Sequence, residues 1–324
     1  MNTSEPGRET YNAMSEIAFG NAPCSWGTIE GWGQGVPYPQ MLDELVASGY
    51  RGTELGDYGY FPTDPERLRE ELVRRGLTLL GAYEGVYLKD PAAVAEGRAR
   101  VMRTARLLQH VADVGDPHWR PYLVLADEHS RDPLRFRHAG RITPELSLDP
   151  EGWTTFCTHA EQLAREVFEE TGLSTVFHHH CAGYVEAPWE IEAFLERTDP
   201  RWINLLLDTG HYLYGTGSVE GDEVVAALER YRERIRYVHF KDLDPIVATQ
   251  ARREGWNYKE AVAHGVFCQL GQGAIDFRAV LRALRKIGYS GWVTVEQDVL
   301  PGMGSPKESA EASLRYLEEA LHDL

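Results

Sequence analysis

Six short apolar runs in this chain each stop at side chains able to bind a metal or move a proton. Glu54 closes RGTELG, the triplet His178-His179-His180 closes STVFHHH, and Asp208 and His211 follow INLLL. His239 and Lys241 fall in YVHFKD, Glu296 falls in WVTVEQD, and Cys24-Ser25-Trp26 falls in AFGNAPCSWG. A set that mixes imidazole with carboxylate suits Zn²⁺, Mn²⁺, Fe²⁺ or Co²⁺ better than Ca²⁺, which prefers oxygen ligands. The sequence contains no close-spaced metal motif of the HExxH kind. Ligands of such a site would therefore come from separate strands.

Strand parity narrows the candidates. Successive side chains of a strand point to opposite faces, so His178 and His180 share one face and His179 takes the other. His239 and Lys241 share a face for the same reason. In a parallel barrel the outer face lies under helices, where an unpaired polar group costs several kcal/mol, so strand-end polar residues are expected to face inward. Asp208-Thr209-Gly210-His211 reads as a strand end, a tight turn and a helix start. Asp208 is then a candidate metal ligand, and His211 a candidate contact to a substrate hydroxyl. Lys241 is a candidate base, acid or carbonyl clamp, with an ion pair to Asp242 or Asp244 as the competing reading. Glu54 is a candidate hydrogen-bond partner for a polyol, or else half of a pair with an arginine. Trp26, Trp32, Tyr58, Tyr60 and Tyr184 follow strand ends, where aromatic walls with polar tips suit sugar-like rings but also pack barrel mouths. The competing reading of the whole constellation is a set of buried polar pairs, such as Asp208 with His211.

The elements that must position these groups alternate regularly. Strand-like runs occupy 17–24, 51–56, 77–83, 121–126, 174–180, 203–208, 236–241 and 292–297, with helical patterns between them. Asp64-Pro65 marks a helix start, and Gly49 and Gly76 mark helix stops. Strand–helix alternation implies parallel pairing with right-handed crossovers. Eight such units predict an α/β fold, a single-domain (β/α)8 TIM barrel over residues 16–324, whose strand C-termini converge on one site. An open doubly wound sheet would carry a Gly-rich phosphate loop, and no GxGxxG is present. Residues 1–15 are polar and read as a flexible tail. The connections at 127–151 and 242–275 are long and follow strand C-termini, the place for lids or for simple surface insertions.

Bulk composition sets the remaining bounds. With 324 residues, 43% hydrophobic and 26% charged, the chain has the make-up of an ordinary globular protein. A net charge of −17 argues against a nucleic-acid partner. No apolar run approaches a membrane span, and the N-terminus lacks an apolar signal core. Cys24, Cys157, Cys181 and Cys268 are scattered without a CxxC, which fits a reduced cytoplasmic setting.

At these residues the chain resembles the inosose dehydratases of inositol catabolism, within the xylose isomerase-like TIM barrel superfamily of sugar phosphate isomerases and epimerases. The resemblance is carried by NAPCSWG at 21–27, GYRGTELGDYGYFP at 49–62, HAGRI at 138–142, FHHH at 177–180 and LLDTGHYLYGTG at 206–217. RYVHFKDL at 236–243, GVFCQLGQGAIDF at 265–277 and GYSGWVTVEQD at 288–298 complete it. It implies one divalent metal ion, Mn²⁺ or Co²⁺ first and Zn²⁺ or Mg²⁺ next, held by residues ending strands five to eight. In the superfamily these are usually Glu, Asp, His and Glu. Here Asp208, His239 and Glu296 match strands six to eight, while strand five offers histidines. His178 is the expected ligand there, and His180 is left for the substrate. Cys181-Ala182-Gly183 and Gln269-Leu270-Gly271-Gln272-Gly273 depart from the family pattern in expected substrate loops.

The activity so implied is dehydration of a keto-cyclitol such as 2-keto-myo-inositol (scyllo-inosose) through an enediolate. Glu296, His180, His211 and Lys241 are the proton-transfer candidates, and Glu54, Trp26 and Tyr58 are further substrate contacts. A metal-dependent ketose epimerase or isomerase is the alternative. Relatives are usually homodimers or homotetramers.

Overall fold

In a computed structural model, the chain is described over residues 17–27, 35–299 and 304–324; the expected tail at 1–15 and Trp32 lie outside the described residues. The strands are β1 (Ile17–Asn21), β2 (Gly52–Thr53), β3 (Thr78–Leu79), β4 (Gly81–Val86), β5 (Tyr122–Asp127), β6 (Thr175–His178), β7 (Ile203–Asp208), β8 (Ile235–Phe240), β9 (Asp242–Leu243), β10 (Phe267–Cys268) and β11 (Gly291–Val295). Nine of them form one parallel sheet in the order β3-β2-β1-β11-β8-β7-β6-β5-β4. Its two ends, β3 and β4, are consecutive in the chain and separated only by Leu80. The Leu80 amide donates to Thr53 O, and its carbonyl accepts from Tyr122 N. One interrupted strand thus pairs on both sides and closes the sheet into an eight-stranded barrel, with no sheet edge left open.

The expected run at 77–83 is therefore split at Leu80 and extends to Val86. Several other expected strands are shorter than their sequence patterns, among them β6, which ends at His178 rather than at His180. β1 ends at Asn21, and Pro23–Trp26 form a 3-10 turn. β2 is only Gly52–Thr53, because the chain leaves the ladder at Glu54.

Local sequence sets the helix ends. Asp64, Asp90, Asp132, Asp149 and Asp244 each precede a proline and accept a backbone N–H of the first turn. Each pairs a capping carboxylate with a residue whose missing N–H is not needed there. Gly76 ends the helix Pro65–Arg75 at φ 63°, a conformation that would strain a residue with a Cβ.

Side-chain alternation then builds the floor of the site. Val124, Val176, Leu206, Tyr237 and Trp292 pack inside the barrel in one small cluster, apart from the larger core under the helices. Two residues further along four of these strands, on the same face, stand His178 above Val176, Asp208 above Leu206, His239 above Tyr237 and Thr294 above Trp292. Register aligns Asp208 with His239 and Thr294 with His239 across neighbouring strands. A buried apolar layer of this kind contributes about 1.5–3 kcal/mol per large side chain and gives the polar groups above it a rigid base.

The two long connections are ordered rather than bare loops. The first carries the helix Pro133–Arg137 and a 3-10 turn at Pro144–Leu146. The second carries the helices Pro245–Glu254 and Tyr258–Ala263, and is closed by the antiparallel pair β9–β10. Arg141 joins the two, donating to Ala251 O and Trp256 O, each at 3.0 Å. No helix among the described residues is long and apolar enough to cross a membrane.

Candidate metal centre and active-site cavity

A cavity at the C-terminal ends of the strands is lined by Glu54, His178, His180, His239, Lys241 and Glu296, with Cys24, Asp57, Tyr83, His129, Tyr258 and Asp298 also in its wall. At its base, His178, Asp208, His239 and Glu296 each offer one ligand atom, all within 4.8 Å of one another. They come from the ends of β6, β7, β8 and β11, the four strands named from the sequence.

Hydrogen bonds fix which atom of each residue points at this centre. His178 Nδ1 lies 2.6 Å from His179 O, so Nδ1 carries the proton and the lone pair sits on Nε2. His239 is oriented the other way. Its Nε2 donates to Glu54 Oε1 at 2.7 Å, leaving Nδ1 toward Glu296 Oε1 at 3.3 Å. Asp208 Oδ1 accepts the His211 amide at 2.7 Å and so caps the helix that follows. Among the described residues, Asp208 Oδ2 and His239 Nδ1 are buried with no hydrogen-bond partner. An unsatisfied buried polar atom needs an explanation, and two aimed into one cluster of two imidazoles and two carboxylates have a simple one. A divalent cation would satisfy both, so the residues present fit such an ion.

Charge is balanced tightly here. Burial alone would depress His239, but the carboxylates of Glu296 and Glu54 outweigh it and hold its pKa well above the usual range. Burial would raise Glu296, yet His239 and Lys241 pull it well below. Burial pushes Asp208 up, against the pull of Lys241. Burial would also depress Lys241, but Asp298, at 3.2 Å from Nζ, and Glu296, at 3.4 Å, keep it an ammonium well above its ordinary value. Lys241 thus pairs with neither Asp242 nor Asp244. Asp242 instead accepts the backbone amides of Leu243, Gly271, Gly273 and Ile275 and shapes the loop at 269–273.

Opposite the quartet lies a second polar group. His180 Nδ1 is 2.7 Å from Cys181 O, so Nε2 carries its lone pair, and the Tyr258 hydroxyl lies 3.4 Å from that Nε2. The His180 ring lies 4.6 Å from that of His129 and 3.9 Å from that of His211. Burial, reinforced by neighbouring imidazoles, holds His178, His180 and His211 well below the ordinary histidine range, so all three are neutral at pH 7.

The structure places each of the remaining expected site residues. His179 faces away from the cavity, as parity requires, and accepts the Asp208 amide on Nε2 at 3.2 Å. His211 does not line the cavity. It sits behind His180, with Nδ1 accepting the Cys181 amide at 3.4 Å, and so supports a wall rather than touching a substrate hydroxyl. Glu54 lines the cavity, and its Oε1 accepts from His239 and from Tyr237 Oη at 2.8 Å, so it orients His239 rather than pairing with an arginine. Trp26 is only 1% exposed, with its indole N–H donating to Glu44, and forms no aromatic wall. Tyr58 packs beneath the Arg103 guanidinium at 3.7 Å and lines an adjoining cleft, not the cavity itself.

The departing loops at 181–183 and 269–273 are not among the residues that line the cavity. Tyr83, His129, Tyr258 and Asp298 were not singled out by sequence. For Asp298 a signal existed: it lies two residues beyond Glu296, as Lys241 lies two beyond His239, and the same parity argument applies.

Comparisons with known proteins agree with this architecture. A family model described as xylose isomerase-like TIM barrel matches residues 42–320. An inosose dehydratase of Geobacillus kaustophilus is 31% identical over 321 residues, covering 96% of this chain and 97% of the relative. Among solved structures, L-ribulose 3-epimerase superposes with a TM-score of 0.66 at 17% identity, covering 95% of each chain. The zinc-binding IolI protein superposes at 0.65 and 16%, covering 94% of this chain and 98% of that one. At such identities the structural likenesses speak for the fold alone. With a family model spanning most of the barrel and a full-length relative above the 30% level, the chain belongs to the xylose isomerase-like TIM barrel family and is an inosose dehydratase-like enzyme of it.

Proposed function

We propose that the protein is a metal-dependent hydro-lyase that removes water from a keto-cyclitol such as 2-keto-myo-inositol, with His178, Asp208, His239 and Glu296 holding one divalent cation. When bound, that cation supplies Lewis-acid polarisation of the ketone oxygen and an adjacent hydroxyl; Mn²⁺ or Co²⁺ suits the donor set, and Zn²⁺ or Mg²⁺ is the alternative.

The side chains divide the remaining work. His180 is the base: its Nδ1 proton is tied to Cys181 O, its Nε2 lone pair stands on the cavity wall, and burial keeps it neutral. It takes the proton α to the ketone. Lys241, held as an ammonium by Asp298 and Glu296, is a cation and donor, which stabilises negative charge growing on the substrate oxygens. The β-hydroxyl leaves with a proton from the imidazolium just formed or from Tyr258 beside it. One C–H and one C–O bond break, one O–H bond forms, a C=C bond remains, and no electrons leave the substrate.

The observation that carries the lyase reading over a ketose epimerase is the end of β6. It brings imidazoles, not a second carboxylate, to the wall, so the group that takes the proton becomes an acid in place. The test is incubation of metal-loaded protein with 2-keto-myo-inositol. A new diketone-type absorbance that is lost in Asp208→Ala and Glu296→Ala supports the reading. Proton exchange at carbon with no such absorbance overturns it.

A further inference from the structure

The cavity does not end at its wall. Asp57, Tyr83 and His129 also line a second cleft, whose other lining residues include Tyr58, Glu84, Arg100 and Arg103. Tyr83 stands on the boundary, with its ring edge-on to that of His178 at 6.4 Å. Two residues on, Gly85 lets the Tyr83 side chain lie close to the backbone: a Cβ there would approach Tyr83 Oη to 3.1 Å.

The far side of the cleft is built from the helix Pro91–His110. The Arg103 guanidinium carbon lies over the Tyr58 ring, 3.7 Å from its centroid. Arg100 donates to Gly85 O at 2.8 Å and lies 3.8 Å from Glu84, which is itself buried and accepts from Thr104. Each guanidinium carries five N–H donors, more than these contacts use. The charges are mixed, with Asp57, Glu84 and Glu128 lining the cleft together with Arg100 and Arg103. Three carboxylates against two guanidiniums disfavour a phosphate or carboxylate. They suit hydroxyl groups, which both donate and accept.

We propose that this outer cleft is a second sugar subsite, so that the enzyme takes a two-ring substrate: a keto-ring in the central cavity carrying a neutral polyhydroxylated ring in the cleft. The inference rests on the proposed reading of the central cavity as a keto-polyol site.

The test is binding of two unreactive ligands to metal-loaded protein by calorimetry, myo-inositol and an O-hexosyl myo-inositol. Two or more hydrogen bonds in the outer cleft correspond to about tenfold or more in Kd. The expected result is at least that gain for the two-ring ligand in the wild type, and its loss in Arg103→Ala. Equal Kd values for the two ligands in the wild type, or a gain that survives Arg103→Ala, overturn the subsite. Water release from the one-ring ketone is measured separately and reports only on the lyase reading, so either claim can fail while the other stands.

Discussion

Replacing Glu54 by Gln is expected to weaken metal binding without disturbing the barrel. Glu54 Oε1 accepts from His239 Nε2 at 2.7 Å and from Tyr237 Oη at 2.8 Å, and Tyr237 also bonds Thr294. This buried chain holds the His239 ring so that Nδ1 faces the cluster, and its negative charge makes that nitrogen a better donor. Glutamine keeps the volume and one acceptor oxygen but removes the charge. Outer carboxylates of this kind are worth about 10–100-fold in metal affinity, or about 1.4–2.7 kcal/mol. Competition against a chromophoric chelator measures the change, with Glu186→Gln as a control for loss of a buried carboxylate elsewhere. A Glu54→Gln protein that folds normally and binds the ion within twofold of wild type refutes the idea that Glu54 tunes His239.

The strand-five histidines are expected to separate cleanly. His178→Ala loses the ion, with affinity down by more than about 100-fold, whereas His180→Ala keeps the ion and loses about 10²–10⁴-fold in turnover; metal analysis beside initial rates reads both. Tyr258→Phe is expected to lower kcat by about tenfold or more with metal affinity unchanged if its hydroxyl serves His180, and an unchanged kcat contradicts that role.

Stability should also carry a pH signature from Glu186, whose carboxyl burial pushes up to about 7 despite Arg135 and the amides of Ala182 and Gly140. The folded state then binds this proton more tightly than the unfolded state, where the ordinary glutamate value is about 4.3. Its stabilising contribution is therefore full below about pH 4 and is lost as pH rises through 7, a change of about 3–4 kcal/mol. Denaturant unfolding from pH 5 to pH 8 should show wild type losing stability relative to Glu186→Gln, and parallel curves would contradict the shift.

Much of the metal centre was legible because alternation along a strand is a local rule. Counting by twos placed His178, His239 and Lys241 on the inner face and His179 outside, and the strand ends gave Asp208 and Glu296. Where the reading slipped, the deciding contacts were long-range. Glu54 and His239 are far apart in sequence, and only barrel closure brings the end of β2 against β8. Nothing local shows that Trp26 turns under the helix Tyr38–Ala47 to reach Glu44, or that His211 lies behind His180. Asn257 and Glu260 mark a helix start at Tyr258 by their reciprocal cap. Its placement over the cavity instead follows from Arg141, which ties the two long connections together.

The most direct test of the central claim is mass spectrometry of 2-keto-myo-inositol after incubation with metal-loaded protein in deuterated water. A product lighter by one water is expected, formed only when the ion is present and at least about 100-fold more slowly with His180→Ala. Recovery of the intact ketone carrying solvent deuterium at carbon, with no loss of water, would contradict it and point to epimerisation on the same centre.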